Sequence, residues 1–422
     1  MIKQIIKMLW FQKRSNGWIF IELLLVFGAL VTILDALLVD AYTYFSPLGY
    51  NIENTYQLKL AKLNNKAPGY VPDSLVSLSE TESLLKLMEN IRQNPEVEEV
   101  CATFFSCPYS FGNSWTSITP TEETDTTKVN EQSFQVRRVT PEYFKVFSVL
   151  DKEGKAVMPQ LNGVQDAVVL SADLEKQFYN NQSAKGKRVS FSGQGNGNQV
   201  AAVCQPIRPS DYEISAPCFY QVLTGKTLEE YVNYFGAQQA ELCVRMKHSK
   251  TKEDINHFLE EMGDRLNASN LYVYGVKKIE DQRSQLLSYR ERNMKIKFSL
   301  MAFLLINVFF GIVGTFWLWT ENRRGEIGLR MAIGSSKYSL YKYMNLEGIC
   351  LFSFTLPFII LFMLNMAYFD IMDTIRLPLS LWRFCITIGS AWLLLAGMIT
   401  LGIWIPARKA TNLAPAEALH YE

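Results

Sequence analysis

The sequence predicts an α+β membrane protein with four transmembrane helices, arranged one plus three. A large two-lobed α/β extracytoplasmic domain is expected between the first and second helices. Three observations predict this. Phe298–Leu318, Gly348–Tyr368 and Phe384–Ile405 contain no Asp, Glu, Lys or Arg, and each is about long enough as a helix to cross the ~30 Å hydrocarbon core. A fourth apolar run, Trp18–Val39, carries only Glu22 and Asp35. Between that run and the second, residues 40–297 have the mixed polarity of a globular domain.

Residues 1–17 place Ile2, Ile5, Ile6 and Leu9 on one helical face and Lys3 and Lys7 elsewhere, the pattern of an interfacial helix. The first span, 18–39, is longer than the apolar core of a leader peptide and is followed by no small-residue cleavage pattern, so it reads as a membrane span. Glu22 and Asp35 fall about 220° apart around a helix. Both lie near its ends, where snorkelling to water is cheap.

In the domain at 40–297, Thr81–Gln93 repeats apolar residues at helical spacing until Asn94-Pro95 stops it, and Val97–Phe105 follows as a strand. Glu241–Lys247, Thr251–Leu266 and Leu271–Val276 read as strand, helix and strand. These two strand–helix–strand units, within 53–105 and 241–277, predict a split βαβ lobe. The intervening 106–240 shows short alternating runs at Ser133–Val139, Ala167–Leu170, Arg188–Phe191 and Val200–Cys204, and reads as an inserted strand-rich lobe. Gly193–Gln199 reads as a hairpin loop, because a dinucleotide-binding turn needs a helix after it and a strand follows here. Charged, helix-forming residues 280–297 lead into the second span at 298–319. A loop at 320–347, spans at 348–368 and 384–405, and a tail at 406–422 complete the chain. Asn307 in the second span is expected to hydrogen-bond across a helix pair.

Orientation follows from Lys and Arg in the short flanking segments. Lys3, Lys7, Lys13 and Arg14 precede the first span, Arg323, Arg324, Arg330, Lys337 and Lys342 lie between the second and third, and Arg408 and Lys409 follow the last. Residues 369–383 carry only Arg376 and Arg383, offset by Asp370 and Asp373. Both termini are therefore expected in the cytoplasm and the large domain outside. A net charge of +1 without a dense basic tract gives no reason to expect a nucleic-acid partner. Seven cysteines are present, five of them in the outward domain, where an oxidising compartment would permit Cys101–Cys107 or Cys204–Cys218 bridges.

The loop after the second span reads ENRRGEIGLRMAIGSS, Glu321 to Ser336. On a helix Arg323, Glu326 and Arg330 share a stripe, while Ile327, Leu329, Met331, Ala332 and Ile333 cover most of the rest. Gly334 is a natural stop, and Ser335 or Ser336 can cap the next helix. A short, mostly apolar helix outside the bilayer must be buried by something, either the lipid surface or a docking partner. This segment resembles the R-R-x-E-I-G-x-R-x-A-x-G-[AS]-[ST] hallmark of the MacB/FtsX (type VII) ABC transporter permeases. The chain's close resembles their second hallmark at Pro406-Ala-Arg-Lys-Ala410 and Leu413-Ala-Pro-Ala-Glu-Ala-Leu419. Val139-Thr-Pro-Glu-Tyr-Phe144, Ala167-Val-Val-Leu-Ser171 and Gly186-Lys-Arg188 stand in the order of that family's periplasmic core. Glu22 and Asp35 depart from the family's small-residue-rich first span.

The resemblance implies a permease subunit of the bacterial inner membrane that works in efflux or mechanotransmission. It implies pairing with a second permease copy or paralogue, and a cytoplasmic ABC ATPase gripping Arg323, Arg324, Glu326, Ile327, Gly328, Arg330, Met331 and Gly334. Pro406, Arg408, Pro415 and Glu417 carry the tail motif. ATP and Mg belong on the partner. The single Gly-Lys-Thr, at Gly225–Thr227, has Tyr220 where a phosphate-binding loop needs Gly. His248, His257 and His420 are scattered, and no G-x-S-x-G or H-E-x-x-H occurs, so no catalytic, metal or cofactor site is expected. The alternative reading is a membrane-anchored scaffold or sensor that controls an extracytoplasmic protein, such as a cell-wall enzyme, without transport.

Overall fold

The computed structural model describes residues 13–72, 74–110, 112, 114–121, 132–180, 182–191, 194–322, 329–331 and 333–411. The expected interfacial helix therefore lies mostly outside the described residues. Two compact units emerge, one formed by residues 45–288 and the other by the remaining N- and C-terminal segments.

The unit at 45–288 begins with strand β1 (Thr55–Lys62), helix α2 (Glu80–Arg92) and strand β2 (Val97–Phe104); α1 belongs to the other unit. Helix α2 starts where its sequence says it should. The Ser79 hydroxyl accepts from the Glu82 amide at 3.2 Å, and the Glu82 carboxylate accepts from the Ser79 amide at 2.7 Å. Its buried face is Leu84, Leu87, Met88 and Ile91. Truncating any one of these to Ala costs roughly 2–5 kcal/mol. The second half repeats the plan with β9 (Glu241–Met246), α6 (Lys252–Met262) and β11 (Leu271–Lys278), with Thr251 and Asp254 forming the same reciprocal cap. The four strands pair antiparallel in the order β11-β1-β9-β2, the split βαβ arrangement. Short β10 (Asn267–Ala268) extends the β11 edge. Both helices pack on one face, against Tyr56, Leu58, Val100, Phe104 and Val244.

Between the halves lie β3 (Trp115–Pro120), β4 (Ser133–Val139), α3 (Tyr143–Val146), β5 (Val168–Ser171), α4 (Ala172–Tyr179), β6 (Arg188–Phe191), β7 (Gln194–Cys204), β8 (Cys218–Val222) and α5 (Gly225–Phe235). These strands close on themselves in the order β4-β3-β6-β7-β5-β8, with β8 returning to β4 in parallel register. Closure removes the free edges that an inserted sheet would otherwise expose. Ile118, Val136, Val168, Val189, Val200 and Phe219 form its core with Leu174 of α4. A third cluster, including Cys101, Tyr143, Phe147, Tyr220 and Cys243, covers the other face of the βαβ sheet. Of the expected hairpin loop Gly193–Gln199, Gly193 lies outside the described residues and the rest is strand. From Gln194 onward it belongs to β7, with Asn198 opposite Val189, and Gly197 at φ 73° sits beside a register shift. A glycine-rich run reads as a turn because glycine also serves bulges, and sequence does not separate the two.

The other unit is helical: α1 (Lys13–Phe45), α7 (Ile279–Asn322), α8 (Lys337–Ser353), α9 (Leu356–Tyr368) and α10 (Leu381–Thr411). Among the described residues four segments are long and apolar enough to cross a membrane: 17–45, 279–315, 337–368 and 381–404. The first ten residues of α7 belong to the outer unit and the remainder to the helical one. The third segment begins at Lys337, earlier than the sequence suggests, and breaks between Ser353 and Leu356. Pro357 cannot donate to the preceding turn, and the Thr355 hydroxyl instead donates to the Phe352 carbonyl at 2.6 Å. Phe27, Leu30, Val31, Phe352, Ala391 and Leu395 are fully buried between the helices. Leu25, Phe303, Phe310, Leu361, Leu393 and Leu401 face outward, as lipid-facing side chains do.

Candidate functional site

Of the residues singled out for coupling, Arg323, Arg324, Glu326, Ile327 and Gly328 lie outside the described residues, as do Pro415 and Glu417 of the tail. The described remainder forms a capped turn. The Gly334 amide donates to the Met331 carbonyl at 3.0 Å and the Ser335 amide to the Arg330 carbonyl at 2.9 Å, the bonding of a Schellman cap. Gly334 takes the φ of +96° that such a cap requires. Ser336, rather than Ser335, caps α8 by accepting from the Ser339 amide at 3.2 Å. Arg330 stacks 4.5 Å above the Tyr343 ring. Met331 turns inward and packs on Leu340. Leu329 and Ile333, four residues apart on one helical face, are 56% and 77% exposed. The turn thus anchors itself through Arg330 and Met331 and presents Leu329 and Ile333. In the tail, Pro406 lies within α10, and Arg408 sits 5.4 Å over the Trp404 ring.

A second constellation escapes sequence reasoning. Asp35 does not snorkel; its carboxylate receives a bidentate pair from Arg383, Nε at 2.8 Å and Nη2 at 2.6 Å, with Arg383 fully buried. Arg383 also donates to the carbonyls of Asp373, at 3.0 Å, and Leu377. One helical turn and a half along α1, Asp40 pairs with Arg376 at 2.6 Å and with Lys297 of α7. Arg376 bonds Asp373 as well, at 2.6 Å. Burial disfavours the Asp373 carboxylate, but the Arg376 amide and guanidinium more than offset this and hold its pKa below the usual range. The available signal was sign: Asp35 and Asp40 close the first span while Arg376 and Arg383 precede the fourth, and only tertiary pairing reconciles them. Glu22 also has a neighbour, since a Cβ built on Gly311 would meet its Oε1 at 2.4 Å. Asn307 does not reach another helix; its amide donates to Phe303 of its own helix at 2.7 Å.

No disulfide joins Cys101 to Cys107 or Cys204 to Cys218; every cysteine is a free thiol. Cys101 and Cys243 face each other across β2 and β9, and the Cys107 sulfur lies 3.5 Å from that of Cys243. Sequence spacing carries no information about Cβ direction, which here points these thiols into a common core. The hydrogen bond with Cys243, then burial, pushes the Cys107 thiol up; burial does the same for Cys101 and Cys204. Among the described residues no group of three or more His, Cys, Asp or Glu could hold a metal ion. Gly225-Lys226-Thr227 opens α5, where Thr224 and Thr227 cap the helix reciprocally.

No family model and no curated protein matches the sequence. Among solved structures, the chain is similar to the periplasmic region of MacB from Actinobacillus actinomycetemcomitans, at 13% identity and a TM-score of 0.33, covering 58% of this chain and 97% of that one. It is also similar to the extracellular domain of the ABC-type transporter YknZ from Gram-positive bacteria, at 12% identity and a TM-score of 0.31, covering 53% of this chain and all of that one. Both likenesses are remote.

Proposed function

We propose that this chain is the permease subunit of an ABC transporter of the MacB/FtsX type, worked by a separate ATPase. The observation that carries the reading is the segment Glu321–Ser336. It matches the permease hallmark in sequence, and its described part is a rigidly capped turn that displays Leu329 and Ile333. An exposed apolar pair on a fixed turn between two membrane helices suits a groove on a cytoplasmic partner. The Lys and Arg distribution favours a cytoplasmic side for that turn and both termini, with residues 45–288 outside, and the resemblance suits a bacterial inner membrane. Closure of the ATPase subunits would then move the helices flanking the turn. A pair of permeases, identical or not, completes the assembly, and export and mechanotransmission are both consistent with it.

The test is co-purification of the full-length protein from its native membrane, with identification of any associated polypeptide carrying a phosphate-binding loop. Leu329→Asp with Ile333→Asp is the informative variant, because both side chains are exposed and the fold does not depend on them. Each substitution removes up to ~1.5–3 kcal/mol of apolar contact and places a charge in the groove, so recovery of the ATPase should fall at least roughly tenfold. Undiminished recovery of that ATPase with the double variant would overturn the assignment.

A further inference from the structure

The outer unit buries Arg137, Arg208 and Arg245, and their surroundings differ in one respect. Arg208 donates to the carbonyls of Glu213, Ser46 and Asp211. Arg245 donates to those of Val146, Glu53 and Asn51. Among the described residues, neither a carboxylate nor a main-chain oxygen accepts from Arg137, which is only 7% exposed. Its neighbours are phenols, and it is hydrogen-bonded to the neutral Tyr143 hydroxyl. The guanidinium lies 6.0 Å from the Tyr50 ring centroid and 5.7 Å from that of Tyr220, with Tyr143 beside it. Burial drives the Tyr143 and Tyr220 hydroxyls up, so they stay neutral and offer no countercharge. A buried guanidinium with five donors and no anionic acceptor is costly, and an anion supplying two parallel acceptors would offset that cost.

Such an anion has room. Arg137 helps line a cavity of about 210 Å³, together with Tyr50, Ser106, Ser110, Gln135 and Ser210. At the density of water this holds roughly seven water-sized groups. Glu213 also lines it, and each carboxylate nearby already has a partner. Asp211 is held by Arg283 at 2.7 Å and the Tyr109 hydroxyl at 2.8 Å, Glu213 by the Ser210 hydroxyl at 3.0 Å, and Glu241 by the amides of Ser106 and Cys107. We propose that this cavity binds a monoanionic carboxylate, as a small free acid or as the terminal carboxylate of a peptide, through the fork of Arg137. A carboxylate fits the planar fork with two parallel bonds. Arg137 is the only cation and Glu213 the only carboxylate lining the cavity among the described residues, a balance that disfavours the two charges of a phosphate more than the single charge of a carboxylate.

The test uses the full-length protein in lipid nanodiscs, with thermal unfolding and titration calorimetry as readouts. The probes are propionate, acetyl-Ala-Ala with a free carboxyl terminus, the same dipeptide as its C-terminal amide, and inorganic phosphate. The free acids should bind and raise the unfolding temperature, and the amide should do neither. Tighter binding of the dipeptide than of propionate assigns a peptide terminus; the reverse assigns a free acid. Arg137→Met should weaken binding at least roughly tenfold. Equal effects of acid and amide, or tighter binding of phosphate than of either acid, overturn the proposal on wild-type protein alone, whatever the variant's stability. The outcome does not depend on whether an ATPase associates.

Discussion

Breaking the Asp35–Arg383 pair tests whether the charges in the first span hold the helical unit together. Both partners are withdrawn from solvent, Asp35 at 7% and Arg383 at 0% exposure, and two parallel hydrogen bonds join them. Removing one side of such a pair leaves an uncompensated buried charge and costs about 3–5 kcal/mol. The two singles should differ. Asp35→Leu leaves the guanidinium its two carbonyl acceptors at Asp373 and Leu377, whereas Arg383→Met orphans the carboxylate and both carbonyls. Arg383→Met should therefore be the more damaging. The double variant removes both charges and should sit within about 1–2 kcal/mol of wild type, because apolar replacement of a whole buried pair is often neutral. The assay is denaturant unfolding of the full-length protein in detergent micelles, followed by helical signal and closed as a double-mutant cycle. The expected coupling exceeds about 2 kcal/mol in favour of the pair. Additive single costs, within ~0.5 kcal/mol, would refute the reasoning, since independent sites add.

Two further outcomes follow from the outer unit. Gly49 has φ +84°, and a Cβ there would meet the Pro206 carbonyl oxygen at 2.4 Å, so Gly49→Ala should destabilise the unit by more than ~1–3 kcal/mol; limited proteolysis at wild-type rates would contradict this. At Glu99, burial opposes ionisation, but bonds from Arg92 at 2.8 Å, the Val100 amide and Lys145 at 3.1 Å prevail and hold its pKa below the ordinary 4.5. A depressed carboxylate stabilises the fold above its unfolded pKa and loses that contribution as pH falls through the folded value. The stability difference between wild type and Glu99→Gln should thus be full above pH 4.5 and shrink below it; a difference independent of pH between 3 and 7 would count against the pairing.

Local signals carried most of the architecture. Apolar runs, the helical spacing in Thr81–Gln93 and Thr251–Leu266, and alternation in Ser133–Val139 and Arg188–Phe191 are properties of contiguous residues, and the structure contains elements at those places. What stayed hidden depends on pairs distant in sequence. Closure of the six-strand ring rests on the parallel β4–β8 register, Gln135 opposite Cys218 through Val139 opposite Val222, which no local pattern encodes. The ion pairs join residues as far apart as Asp35 and Arg383, and the thiol cluster joins Cys107 to Cys243. The segment Glu321–Ser336 was legible as a string, but not the division of its described part into Arg330 and Met331, which hold the turn, and Leu329 and Ile333, which it displays.

That division changes how the charged residues of the membrane unit should be read. An ionisable residue within a span is by default a functional candidate, yet Asp35 and Asp40 have all their acceptor capacity directed at Arg383, Arg376 and Lys297. Their geometry instead fixes α1 against α7 and α10 at one end, as a buried polar pair fixes register where apolar packing alone tolerates sliding. The spans of this protein therefore use charge to specify their arrangement.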